Sequence, residues 1–177
     1  QRWVAKHPRA DFAALAPVFA QMATDSPSTA TRLLAGPTGE ANLYAVLPRE
    51  RVLCLAMDAR DRLLQLGAVL AVGSHAIWPA DAQELYSALP DEARQRIELA
   101  LDWKHDSETF DAVLHHGDEG TLRALCAQVA QRKGPIVGVV GLRLGATSIP
   151  LERLVLERSL SVNTAAAGGN ASLMTIG

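Results

Sequence analysis

Between Arg51 and Leu142 the chain alternates short, continuous apolar runs with longer stretches in which apolar positions recur every three to four residues. "RVLCLAM" suits a strand buried on both faces, and "DARDRLLQLGAVLAVG" then places Leu63, Leu66, Val69 and Leu70 at helical spacing. The unit recurs. "SHAIWP" predicts a second strand. "DAQELYSALPDEARQRIELALDW" predicts one or two helices, with Pro90 at a helix start and Ala93, Ile97, Ala100 and Leu101 on one face. "FDAVLHHG" and "DEGTLRALCAQVAQRKG" give a third strand and helix, with Leu122, Leu125, Cys126 and Val129 inward and Gly134 as the stop; "PIVGVVGL" is a fourth strand. Buried-type strands alternating with amphipathic helices predict an α/β domain over residues 51–160, a Rossmann-like parallel sheet with flanking helices.

Residues 1–50 follow other rules and read as an N-terminal helix and connecting segment. In "RADFAALAPVFAQMATDSP", Phe12, Leu15, Val18, Phe19 and Met22 share a helix face, Asp11 is the N-cap, and Pro17 imposes a kink or a break. "SPSTATRLLAGPTGEANLYAVLPRE" is rich in turn formers, with "NLYAV" a short strand and "GPTGE" a tight turn in connecting or edge structure. Residues 161–177 form a C-terminal tail, and from Ser159 onward no side chain is charged. Gly and Ala let backbone approach another surface, Gly168 and Gly169 can take φ > 0, and Leu173, Met174 and Ile176 form a single apolar hook. Such a tail is either a frayed terminus or a packing strip.

A chain of 177 residues holds one ordinary domain and an appendage. Its 17 Lys and Arg are scattered and outnumbered by 19 acidic residues, so no clustered basic face points to nucleic acid. The longest apolar stretch, around "LGAVLAVG", falls short of the roughly 20 residues a membrane-spanning helix needs. A first residue of Gln, with no leader behind it, suggests a piece of a longer chain. Cys54 and Cys126 lie far apart inside apolar periodic segments and read as two small buried thiols in a reducing, cytoplasmic compartment.

Ligands of such sheets bind at the carboxyl ends of the strands. The first turn there, "AMDARD", lacks the close glycines that admit a pyrophosphate and puts Asp58 and Asp61 at the helix start instead. The second, "WPAD", has Pro and Asp; the third, "HHGDEG", has Asp118 and Glu119. Only "GLRLGATS", with Gly141, Arg143 and Gly145, tolerates an anion, and it reads better as a surface loop. His115 and His116 are adjacent on a strand and point to opposite faces, so they do not share an ion. His7, His75 and His105 are isolated and without a nucleophile elbow. The pairs Asp91 with Glu92 and Asp118 with Glu119 sit where helix capping explains them. No catalytic, cofactor-binding or metal residue is assigned.

Several stretches carry a family likeness. "GPTGEANLYAVLPRERVLCLA", "GAVLAVGSHAIWP", "FDAVLHHGD", "LRALCAQVAQRKGPIV" and above all "LERLVLERSLSVNTAAAGGNASLMTIG" resemble the C-terminal region of long proline utilization A proteins, from about Asp25 to Gly177. The resemblance implies a bacterial bifunctional parent. An FAD-dependent proline dehydrogenase and an NAD-dependent glutamate-semialdehyde dehydrogenase there pass their intermediate through an internal tunnel. It further implies that this chain is a degenerate domain of aldehyde dehydrogenase superfamily fold without an active site, whose last residues lid the tunnel. FAD and NAD then belong to the parent, which is cytoplasmic or peripheral at the inner membrane. Ser161, Val162, Asn163, Gly168, Gly169, Leu173, Met174 and Ile176 become docking residues on the aldehyde dehydrogenase domain, helped by strand addition through "SLSVN". Ala41 and Ala45 are less polar than that family's pattern. Two alternatives stand beside this: an oligomerisation module whose tail crosses to a partner subunit, and a stand-alone NAD-binding domain, which would need the missing glycine fingerprint.

Overall fold

The computed structural model describes residues 14–27, 31–37 and 39–163, and holds two sheets. The central strand of the larger one is β3 (Arg51–Leu55), with Val52, Leu53 and Cys54 wholly buried. α2 (Ala59–Val72) follows it, capped by the Asp58 side chain and ended by Gly73 at φ 89°, where a side chain would be strained. β4 (His75–Pro79) lies parallel to β3. A 3-10 turn (Ala80–Ala82), α3 (Gln83–Ser87) and α4 (Asp91–Arg94) lead to β5 (Ile97–Ala100). The chain crosses over to β6 (Ala112–His116), then α5 (Glu119–Val129) and β7 (Gly138–Leu142). All pairings are parallel, in the spatial order β5-β4-β3-β6-β7. In order of appearance that is 3-2-1-4-5, with the topological switch point between β3 and β6.

Two expectations for this body need correction. Ile97–Ala100 is a strand, not a helix face, and Leu101 is 94% exposed. Pro90 opens only one turn of helix, and Ala76 and Trp78 of the neighbouring strand offer "IELA" a parallel ladder. Cys126 is exposed rather than buried. The inward stripe of α5 is narrow, Leu125 and Val129, while half-buried Leu122 leans over Gly141, where an added Cβ would meet its methyl group at 2.3 Å. Cys54 is buried as expected.

The larger core cluster lies on the α2 face of this sheet and the smaller one, around Leu53, Ile77 and Val113, on the α5 face. On that second face the crossover to β6 is a loop rather than a helix. Arg132 pins it, donating from Nη1 to the carbonyls of Trp103 (3.1 Å) and His105 (3.2 Å) and from Nη2 to that of Glu108. Its guanidinium stacks 4.5 Å over Phe110. On the first face α1 (Ala16–Asp25) packs across α2 through Phe19 at Gly67. The helix begins at Ala16, so Pro17 falls in its first turn, where its missing N–H costs nothing. Asp11 and Phe12 lie outside the described residues.

The smaller sheet is antiparallel, in the order β1-β2-β8: β1 (Thr31–Leu34), β2 (Glu40–Pro48) and β8 (Val155–Asn163). "GPTGE" is the turn between the first two, with Glu40 N–H donating to Pro37 O and Gly39 at φ 91°. "NLYAV" lies inside a strand of nine residues, longer than its own span suggests, because β8 pairs with β2 along its whole length from Val155↔Pro48 to Asn163↔Glu40. Arg49 ties this sheet to the body. Its N–H donates to Leu154 O (2.9 Å), Nε to Arg153 O (3.0 Å) and Nη1 to Asp111 O (3.1 Å).

Candidate functional site

Two places could carry function: the switch-point crevice of the parallel sheet and the open face of the small sheet. At the crevice, Asp58 Oδ1 accepts from the amides of Arg60 (2.8 Å) and Asp61 (3.3 Å), so the N-terminus of α2 is satisfied from within. Arg62, almost fully buried, turns its Nε and Nη2 onto Ala56 O (2.9 and 2.5 Å) and its Nη1 towards Asp81 (3.3 Å). Asp118 caps α5 by accepting from Thr121 N–H (2.8 Å), which holds its carboxyl below the usual carboxylate range.

The two histidines diverge as their strand positions require. His115 Nε2 meets Thr121 Oγ1 at 3.1 Å, and burial pushes its pKa down. His116 points into the protein between Gln65 (3.0 Å from Nδ1) and Ala146 O (3.0 Å from Nε2). No group of three metal-ligating side chains forms among the described residues. The loop after β7 has its own anion. Gly145 N–H donates to Asp61 Oδ2 at 2.9 Å, and Arg60 Nη1 donates to Gly145 O at 3.3 Å. A pyrophosphate here would meet bonded amides and carboxylates, so the residues present do not suit a dinucleotide.

The small sheet is two-faced. Register puts Leu33, Leu43 and Leu160 in one cross-strand row, with Ala41 beside Val162 and Leu47 beside Leu156 on the same side. The other side carries Arg32, Tyr44 and Ser159 in one row and Leu34, Asn42 and Ser161 in the next, where Ser161 Oγ donates to Asn42 Oδ1 (2.5 Å). On this side a hydrogen bond to Glu157 raises the pKa of Tyr44. Among the described residues nothing covers the apolar side: Leu33 is 75% exposed, Leu160 52%, Leu156 44% and Val162 43%. The outer edge of β8 pairs with no strand among the described residues. Ala41 and Ala45 belong to the apolar side, which accounts for their low polarity.

Of the expected docking residues, Ser161, Val162 and Asn163 therefore stand on β8, and "SLSVN" adds as a strand to β2 of this same chain. Gly168, Gly169, Leu173, Met174 and Ile176 lie outside the described residues. The residues that sequence reasoning missed are Leu33, Leu43, Leu47, Leu156 and Leu160. Period-two alternation in "EANLYAVLP" and "VLERSLSVN" was the signal for them.

No protein-family model matches the chain. It is 53% identical over 179 residues to the bifunctional protein PutA of Escherichia coli (strain K12), covering 100% of this chain and 13% of that protein. The PutA of Salmonella typhimurium is 52% identical over 178 residues, again with 13% of its length covered. The chain is a homologue of one segment of the PutA proteins. It spans about an eighth of the length of these relatives. Among solved structures, the NAD+ complex of an aldehyde dehydrogenase from Bacillus cereus superposes with a TM-score of 0.53 at 15% identity, over 75% of this chain and 30% of that one. That likeness establishes an aldehyde dehydrogenase type of α/β fold. No helix among the described residues is long and apolar enough to cross a membrane.

Proposed function

We propose that the chain is a non-catalytic C-terminal part of a bifunctional enzyme that converts proline to glutamate. In this reading the small sheet lays its apolar face on the aldehyde dehydrogenase half of the same polypeptide, and the tail seals the passage between the two active sites. The observation that carries it is the exposed pair Leu33 and Leu160, in one row with half-buried Leu43 and with Leu156 and Val162 beside it, in a chain whose relatives extend far beyond it. The polarity of β8 supports the tail's part. Val155 sits beside Pro48 next to the body and Asn163 at the opposite end, so β8 carries the chain outward, and burying three apolar anchors would contribute roughly 1.5 to 3 kcal/mol each. FAD and NAD are cofactors of the parent's other domains, and this chain binds neither.

The test is a coupled assay on the full-length protein. Leu160→Asp forces a carboxylate into the contact, while Ser159→Asp, one residue earlier, faces the other side. Leu160→Asp, and deletion of residues 164–177, should delay NADH formation from proline and leave flavin reduction by proline intact; Ser159→Asp should leave both as in the unaltered protein. NADH formation without a lag in the Leu160→Asp protein would refute the docking reading. Saturable micromolar NAD binding by residues 1–177 in calorimetry would refute the non-catalytic one. If the face meets a second copy instead, Leu160→Asp would lower the mass in sedimentation.

A further inference from the structure

We propose that the switch-point crevice has become the anchor of a strap, residues 143–150, that sets how β8 leaves the body. The strap starts at the carboxyl end of β7, inside the crevice, and ends at the 3-10 turn (Leu151–Leu154), beside Arg49 and the amino end of β3. It thus runs the length of the parallel sheet and delivers the chain to β8. Ile149, Leu151 and Leu154 bury themselves in the main core, and the 3-10 turn contacts α2. At its start the strap is held by two side chains that are almost wholly buried, Asp61 at 3% and His116 at 1% exposed.

The bonding is directional. Gln65 Nε2 donates to His116 Nδ1, so Nε2 carries the proton and donates to Ala146 O. One residue earlier, Gly145 gives its N–H to Asp61 and takes Arg60 Nη1 on its carbonyl, in a left-handed conformation (φ 77°) that favours glycine. Asp61 depends on the strap in turn. Its Oδ1 has no hydrogen bond, only the Arg60 guanidinium at 3.6 Å, so losing Gly145 would leave a buried carboxylate with an ion pair and no donor. The place that holds a dinucleotide in sheets of this topology thus holds the chain's own backbone, clamped at successive residues. Arg49 then fixes the far end, so crevice and small sheet are linked through one continuous, bonded segment.

This inference goes beyond the docking reading and does not depend on it. The test is hydrogen exchange on the full-length protein, following residues 143–154 and β8 against β3 as the internal reference. Asp61→Ala should speed exchange across 143–154 by roughly tenfold or more, and β8 by less. Asp61→Asn keeps an amide oxygen to accept from Gly145, so it should fall between wild type and Ala. Leu125→Ala weakens the opposite face and should leave the strap unchanged relative to β3. If Asp61→Ala does not fold, Asp61→Asn carries the test alone, with faster strap exchange at unaltered β3 exchange as the expected result. Strap rates equal to wild type in the Asp61 variants, or rising only in step with β3, would overturn the proposal. The docking reading would survive that failure, because Leu160→Asp reads it separately.

Discussion

In the parallel sheet Val52, Leu53 and Cys54 of the central strand are 0% exposed; in the antiparallel sheet Leu33 and Leu160, on the two strands that flank β2, are 75% and 52% exposed. Helices and an Arg-pinned loop cover both faces of the first, and nothing described covers the apolar side of the second. Both sheets are rich in Leu and Val, so composition does not separate them. The difference is one of completion: the first is a finished core, while the second has the patterning of a core with one layer missing.

Thiol chemistry gives the widest contrast inside the finished part. Cys54 is fully buried, and burial pushes its thiol well up, whereas Cys126 stands exposed on α5. A maleimide should label Cys126 in the folded chain and reach Cys54 only through opening of the core, a rate difference on the order of a thousandfold or more. Comparable rates, read by mass spectrometry on Cys54→Ala and Cys126→Ala chains, would mean that β3 is not the central strand.

Truncation compares the two sheets directly. Leu64→Ala, at a wholly buried position on α2, should cost about 2 to 5 kcal/mol in denaturant unfolding. Leu160→Ala should stay within about 0.5 kcal/mol in residues 1–177 alone. In the full-length protein the cost of Leu160→Ala should rise towards that of a buried site. An equal cost in both settings would show that the apolar face remains bare. At the ends of α2, Asp58→Ala removes the acceptor of two amide bonds, and Gly73→Ala puts a side chain at φ 89°. Each should lower stability by about 1 kcal/mol and leave the small sheet intact.

How far each region was legible follows from the same difference. Strands buried on both sides write themselves as continuous apolar runs, so β3, β4 and β6 could be read, and the half-buried edge strand β7 showed the same kind of run in "PIVGVVGL"; with them came the α/β class. β5 could not, because "IELA" is short and sits where its apolar positions also satisfy a helical period. The small sheet was half legible. Its hairpin turn shows in "GPTGE", but β2 finds β8 more than a hundred residues on, and Arg158 interrupts the apolar alternation of β8. The bond from Gly145 to Asp61 spans 84 positions with no local trace. "GLRLGATS" reads as a surface loop tolerant of an anion, and Gly145 within it donates to the carboxylate of Asp61 in the same chain. The docking residues beyond Asn163 lie outside the described residues.

The smallest effect expected is in pH, and its sign should differ between the two regions. In the body, His115 is held below its ordinary 6.5, first by burial, and Asp118 below 3.8, first by the Thr121 amide. For both groups the unfolded chain takes up protons before the folded one. Their contributions are therefore whole above about 6.5 and 3.8 and are lost as pH falls through the folded values. Tyr44 in the small sheet is displaced the other way, above 10.0, chiefly by its hydrogen bond to Glu157. Its contribution is whole below pH 10 and fades as pH rises through the folded value. Acid should loosen the β6–α5 turn first and alkali the β2–β8 pairing. Phenolate absorbance in a Tyr86→Phe background isolates Tyr44, and Glu157→Gln should bring its titration back towards the ordinary phenol range. An unchanged midpoint in Glu157→Gln would separate the two side chains and remove Tyr44 as an alkaline weak point between β2 and β8.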